Sequence, residues 1–157
     1  MAFLIASLDG RRGFSLRRLE RYLTLTRNSG ASPVVVLNKA DLAEDPESAA
    51  EKAREIAPGA PVHAVSAIED EGVASLRQYV NKAATLVLLG PSGSGKSTTL
   101  YTTLNAVSRP EINVITVEDP VEYRLSMVNQ IEINPKAGLD FATACRGLLR
   151  QDPEKRG

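Results

Sequence analysis

The chain has 157 residues, 43% hydrophobic and 24% charged, enough for one ordinary domain of soluble globular type with a buried core. Nineteen basic residues cancel 19 acidic ones, so no global field argues for nucleic acid, membrane or acidic partners, although residues 1–30 carry six arginines against Asp9 and Glu20. Single copies of Cys145 and His63 exclude an internal disulfide and a cysteine-based zinc cage. The apolar runs are far below membrane-span length and no secretory-signal pattern opens the chain, so neither zinc nor membrane insertion is expected and a cytoplasmic location is.

In chain order, Ala2–Leu8 reads as a buried strand. Phe14–Arg27 reads as a helix with Leu16, Leu19, Leu23 and the Tyr22/Thr26 edge on one face. Ser32-Pro33 leads into Val34–Leu37, a continuous apolar run of the kind found in parallel sheets. Asp45-Pro46 supplies an N-cap and a first-turn proline for a helix through Ile56, which Pro58-Gly59 ends. Val62–Val65 is a further strand, and Val73, Leu76, Tyr79 and Val80 have helical spacing. Strand Thr85–Leu89 runs into a glycine-rich loop, and Lys96–Val107 continues as a helix. Asn113–Val117 is strand-like, Met127–Ile133 is a weaker strand, and Leu139–Leu149 has helical periodicity. Alternating strands and helices predict an α/β fold in three layers, with a mainly parallel sheet covered on both faces. The expectation is one P-loop NTPase-like domain over residues 1–157.

Residues 90–97, Gly-Pro-Ser-Gly-Ser-Gly-Lys-Ser, satisfy the P-loop pattern completely, between an apolar strand and a helix. Gly90, Gly93 and Gly95 suit a loop whose amides, with Ser92 and Ser94, turn inward around phosphate oxygens without a Cβ clash. The helix starting near Lys96 aims its unpaired amides and positive dipole end at the same anion. Lys96 is expected at the β- and γ-phosphates and in a catalytic role, Ser97 on Mg²⁺, and Thr98 at a further phosphate contact. A glycine-rich turn without a ligand is the bland alternative, and the complete motif in its context argues against it.

Asn38-Lys39-Ala40-Asp41 and Ser66-Ala67 both follow strands directly. They therefore fall at the carboxyl ends of a parallel sheet, where doubly wound folds bind ligands. Together they resemble the guanine-specificity elements of translation-factor-type GTPases. The resemblance implies that Asp41 accepts from guanine N1–H and the exocyclic amine, which adenine cannot offer, at a cost when those acceptors stay unpaired. It also implies that Asn38 buttresses the base site, that Lys39 packs on the base or sugar, and that Ala67 offers its N–H to the guanine carbonyl.

The base motifs precede the P-loop, an order that resembles the circularly permuted GTPases of the ribosome small-subunit-dependent GTPase A family. Residues 2–97 carry this likeness, including the segments 14–23, 36–42 and 62–67. It implies GTP hydrolysis and the small ribosomal subunit as partner. That family's OB-fold and zinc-binding regions have no counterpart in the sequence.

From the P-loop onward the likeness changes. Residues 97–101, Pro110–Tyr123, Gln130–Leu139 and Leu149–Pro153 resemble the ATPases of type II secretion and type IV pilus assembly, over residues 88–153. This implies an acidic box at Glu118-Asp119, with Glu118 a catalytic residue that helps place the attacking water; a strand-end turn before Pro120 is the bland alternative. After Ser97, none of Asp119, Asp140 and Asp152 has a glycine three residues later, so the γ-phosphate-sensing loop of a GTPase is missing. The secretion-type likeness stops before a Walker B strand. The chain thus reads as a chimera joined near residues 85–97. The expected function is Mg²⁺-dependent binding of a nucleoside triphosphate, GTP before ATP, with weak or absent hydrolysis. The alternatives are an ATP-binding piece of a secretion or pilus motor and a recombined or designed P-loop scaffold without physiological activity. His63 is read as a packed or edge histidine, Cys145 as core filling and the arginine-rich first helix as a solvated face.

Overall fold

A computed structural model of the chain describes residues 1–10, 14–80, 85–91, 93–105, 113–118, 121, 128–140, 143, 144 and 147. Ser92, Asp119, Cys145 and residues 151–153, all singled out above, lie outside the described residues.

Six strands form one sheet: β1 (Ala2–Ser7), β2 (Pro33–Asn38), β3 (Val62–Val65), β4 (Thr85–Leu89), β5 (Asn113–Glu118) and β6 (Asn129–Glu132). Their order is β3-β2-β1-β4-β5-β6, and every neighbouring pair is parallel. Strands buried on both faces need apolar residues at consecutive positions, which accounts for the unbroken runs at residues 2–5, 34–37 and 86–89. Alternate residues divide between two cores. Leu4, Val35, Leu37, Val87 and Leu89 face α1 (Leu16–Asn28) and α2 (Pro46–Ile56), whereas Phe3, Ile5, Val34, Val36, Leu86 and Leu88 face Val73, Leu76 and Val80. On that second side α4 (Lys96–Asn105) packs on the 3-10 turn Val73–Leu76 and on the short α3 (Arg77–Val80).

The second helix starts at its predicted cap, and the first starts at Leu16, two residues later than predicted, behind Ser15. Ser15 Oγ accepts the Arg18 amide at the head of α1, and Asp45 Oδ1 accepts the Ser48 amide at 2.9 Å at the head of α2, where Pro46 takes the first helical position. Buried Ala50 and Ala53 let α2 sit close to the sheet. Three expectations change. The segment read as one helix around residues 73–80 is a 3-10 turn followed by a single α turn. Leu139 is not helical, but pairs with Asn134 across an antiparallel bridge that closes the 3-10 turn Pro135–Ala137. Asn38 and Glu118 are the last residues of β2 and β5 rather than loop residues. Of the last predicted helix, residues 143, 144 and 147 are helical, and 141, 142, 145, 146, 148 and 149 lie outside the described residues.

The chain moves outward from β1 to β3 and then returns to the other side of β1 with β4. That reversal leaves a crevice above the carboxyl ends of β1 and β4, where ligands of open parallel sheets bind.

Candidate functional site

The glycine-rich loop follows β4 at this crevice. Register pairs Leu4 with Leu89, so Gly90 runs past Ile5 of β1, and a Cβ at Gly90 would collide with the Ile5 carbonyl oxygen. Gly93 and Gly95 take φ of +74° and +87°, the left-handed region that glycine enters without strain. Lys96, 4% exposed, folds back under the loop and donates from Nζ to the carbonyls of Gly90 (2.8 Å) and Pro91 (2.9 Å). The amides of a first helical turn have no partner further up the helix. Those of α4 therefore stand over a cleft of about 250 Å³ lined by Lys39, Gly93, Gly95, Lys96, Ser97, Thr98 and Glu118.

The base motifs meet the loop through Asn38, which is 2% exposed. Its Nδ2 donates to the Ser94 carbonyl and its Oδ1 accepts the Ala67 amide, both at 3.1 Å. One side chain at the end of β2 thus joins the P-loop to the segment after β3. Ala67 N–H, expected to face a guanine carbonyl, is donated to Asn38 instead. Ser66 is fully buried. Its backbone exchanges hydrogen bonds with Glu71, and its Oγ accepts the Glu69 amide, so residues 66–71 form a closed loop.

Lys39 adopts φ +63° and donates from Nζ to Asp9 Oδ2 and to the Gly93 carbonyl at 2.9 Å, which lays its stem along the cleft. Asp41 sits exposed on the 3-10 turn Ala40–Leu42, outside the cleft lining. Glu118, 4% exposed, enters the cleft from β5. Its Oε1 accepts from Thr116 Oγ1 (2.8 Å) and Gln130 Nε2 (3.0 Å), the latter reached because β5 and β6 pair Thr116 with Gln130. Sequence reasoning missed Asp9 and the contact that Gln130 makes with Glu118. Asp9 had a signal, since it comes just after the first predicted strand; the Gln130 contact becomes visible only with sheet order.

The donor set suits a polyanion with a divalent cation: two ammonium groups, the first-turn amides of α4, the hydroxyls of Ser97 and Thr98, and one carboxylate. Gly95 lines the cleft, and on its other side an added Cβ would collide with Asn38. A parallel sheet with this loop at its switch point defines the P-loop NTPase-like class.

Residues 62–155 match the model of the family described as Type II/IV secretion system protein, and the chain belongs to that family. The match starts ahead of residue 88 and so includes β3 and the loop at Ser66. The chain is 52% identical over 69 residues to type II secretion system protein E of Xanthomonas campestris pv. campestris, covering 44% of this chain and 12% of that protein. It is 50% identical over 96 residues to the small ribosomal subunit biogenesis GTPase RsgA of Opitutus terrae, covering 61% of this chain and 26% of that protein. Both resemblances carried by the sequence are therefore present, a mixture of two P-loop lineages in one chain. YjeQ from Thermotoga maritima superposes with a TM-score of 0.58 at 24% identity, over 66% of this chain and 37% of that one, a likeness of fold. This chain spans between 12% and 26% of the length of the curated relatives named here. Among the described residues no helix is long and apolar enough to cross a membrane.

Proposed function

We propose that this chain binds a nucleoside triphosphate with Mg²⁺, prefers GTP over ATP, and hydrolyses it slowly. The observation that carries this reading is the double hydrogen bond of Asn38, which fastens the base motifs to the phosphate loop as one unit. In this reading Lys96 and the first-turn amides of α4 hold the phosphates, and Gly90, Gly93, Ser94 and Gly95 shape the loop. Ser97 holds Mg²⁺, which when bound would neutralise charge on the β- and γ-phosphates, and Thr98 adds a hydroxyl. Lys39 lies along the base or sugar. Asp41, exposed and one turn beyond the strand end, accepts from the guanine N1–H and amine, and Ser66 and Ala67 form the far wall. Adenine would leave Asp41 without donors, the source of the preference. Slow turnover follows because phosphoryl transfer depends on positioned groups, and no aspartate after Ser97 in this chain precedes a glycine by three residues.

Affinities for GTP and ATP with Mg²⁺, measured on the native chain and on Asp41→Asn, test the proposal. A GTP preference that collapses in Asp41→Asn supports it; equal binding unchanged by the substitution sinks it. Lys96→Ala should abolish binding of both nucleotides.

A second reading, ATP binding as part of a secretion or pilus motor, is favoured by Glu118, which enters the cleft already oriented by two donors, and by the family match over residues 62–155. It predicts ATP at least as tight as GTP. Similarity to a ribosomal-subunit biogenesis GTPase adds the small ribosomal subunit as a proposed partner, to be tested by cosedimentation with GTP present.

A further inference from the structure

Ala67 is held at both of its backbone polar groups. Its N–H donates to Asn38 on β2, and its carbonyl accepts Thr102 Oγ1 at 3.1 Å from α4. Threonines inside helices ordinarily spend their hydroxyl on the carbonyl one turn back, as Thr24 does on Glu20 and Thr103 on Thr99. Thr102 makes that bond to Thr98 at 3.0 Å and also reaches a separate element 35 residues away in sequence. Its one proton is shared between two carbonyls, a three-centre arrangement.

The consequence is a closed circuit. The Ser94 carbonyl of the P-loop binds Asn38, Asn38 binds Ala67, Ala67 binds Thr102, and Thr102 returns through Thr98 to the first turn of α4 beside the same P-loop. Thr98 lines the phosphate cleft. The loop 66–71 therefore has its distance from the phosphate-binding helix fixed by one hydroxyl, while Asn38 fixes its distance from β2. With the Thr102 hydroxyl removed, Ala67 keeps its hydrogen bond to Asn38 and loses the one to α4.

We propose that Thr102 is a positioning residue for the base-recognition loop, so that guanine selectivity depends on a hydroxyl carried by the phosphate-binding helix. This rests on the GTP reading above. Thr102→Val keeps the β-branched shape and removes the donor, and Thr102→Ser keeps the donor. Affinities for GTP and ATP with Mg²⁺, measured for native chain, both variants and Asp41→Asn after matching thermal melts, decide the matter. Thr102→Val is expected to weaken GTP by roughly threefold to tenfold, the size of one net hydrogen bond, and to change ATP by less than about twofold. Thr102→Ser should restore the native ratio. In Thr102→Val the Glu69 and Glu71 amides should also exchange hydrogen faster. A ratio that collapses in Asp41→Asn but stays native in Thr102→Val overturns this inference alone. An equal loss of GTP and ATP affinity in Thr102→Val also overturns it, because it would mark a helix role only. A ratio unchanged in Asp41→Asn sinks the guanine reading and this inference with it.

Discussion

Asn38 occupies the space that a side chain at Gly95 would fill. A Cβ on Gly95 would meet Asn38 Nδ2 well inside contact distance, and the residue's φ of +87° is one that side chains rarely adopt. Gly95→Ala should therefore do two things at once: strain the loop and push Asn38 off Ser94 and Ala67. We expect a stability loss of about 1–3 kcal/mol and at least a tenfold loss of nucleotide affinity. Gly93→Ala is the control. Its φ is also positive but nothing lies within 4 Å of the added Cβ, so only the backbone term of about 1 kcal/mol is expected. Urea unfolding and nucleotide titration on both variants check this, and equal behaviour would disprove the Asn38 coupling.

Asn38 itself is both donor and acceptor in a buried place. Asn38→Ala leaves the Ala67 N–H and the Ser94 carbonyl buried without their partner, at a cost of about 2–4 kcal/mol. Asn38→Asp retains the acceptor for Ala67 but, once ionised, sets a carboxylate oxygen against the Ser94 carbonyl, so its ionised form should be no better than alanine. Denaturant melts rank the variants, and an aspartate variant of native stability would contradict the donor assignment.

Asp9 holds the ammonium of Lys39, whose side chain also spans to the P-loop. The pair is mostly shielded, with side-chain exposures of 11% for Asp9 and 24% for Lys39. Asp9→Asn removes the charge but keeps the shape and a hydrogen-bonding oxygen. The expected cost is about 1 kcal/mol, smaller at high salt, together with a weaker hold on nucleotide because one of the two anchors of Lys39 loses its charge. A titration in low and high salt tests this; nucleotide affinity identical to native in both would refute a role for Asp9.

The fold was legible because burial on two faces writes itself into consecutive apolar positions, as at Val34–Leu37 and Leu86–Leu89. The phosphate loop was legible because glycine spacing is a backbone requirement, and Gly90 and Gly95 each meet a neighbour that tolerates no Cβ. What stayed hidden depends on sheet order. Asp9 reaches Lys39, and Gln130 reaches Glu118, only because β1 lies beside β2 and β6 beside β5. The role of Asn38 was expected in kind but not in detail, since a resemblance does not reveal that it takes the Ala67 amide for itself. The break between residues 76 and 77 was missed because Val73 and Leu76 stand three apart, a spacing that α and 3-10 turns share.

His63 gives the chain a stability term that depends on pH. Ser75 Oγ donates to the Gly72 carbonyl at 2.7 Å, so it accepts from His63 Nδ1 at 3.0 Å, and Nε2 in turn accepts the Tyr79 hydroxyl at 2.9 Å. The neutral Nδ1–H tautomer is thus satisfied at both nitrogens. Burial, with a smaller contribution from the Arg54 charge, lowers the His63 pKa below its ordinary value of about 6.5. A lowered pKa means that the unfolded chain binds the proton more readily, so unfolding is favoured as the pH falls. The His63 contribution is therefore complete above about pH 6.5 and is lost as the pH drops through the lower folded value. His63 is the one histidine in the chain, so a comparison of native chain with His63→Gln isolates it. Unfolding free energies measured from pH 7.5 down to pH 5 should converge, with the native chain losing stability faster than the variant. Parallel curves across that range would show that His63 carries the same affinity for protons folded and unfolded.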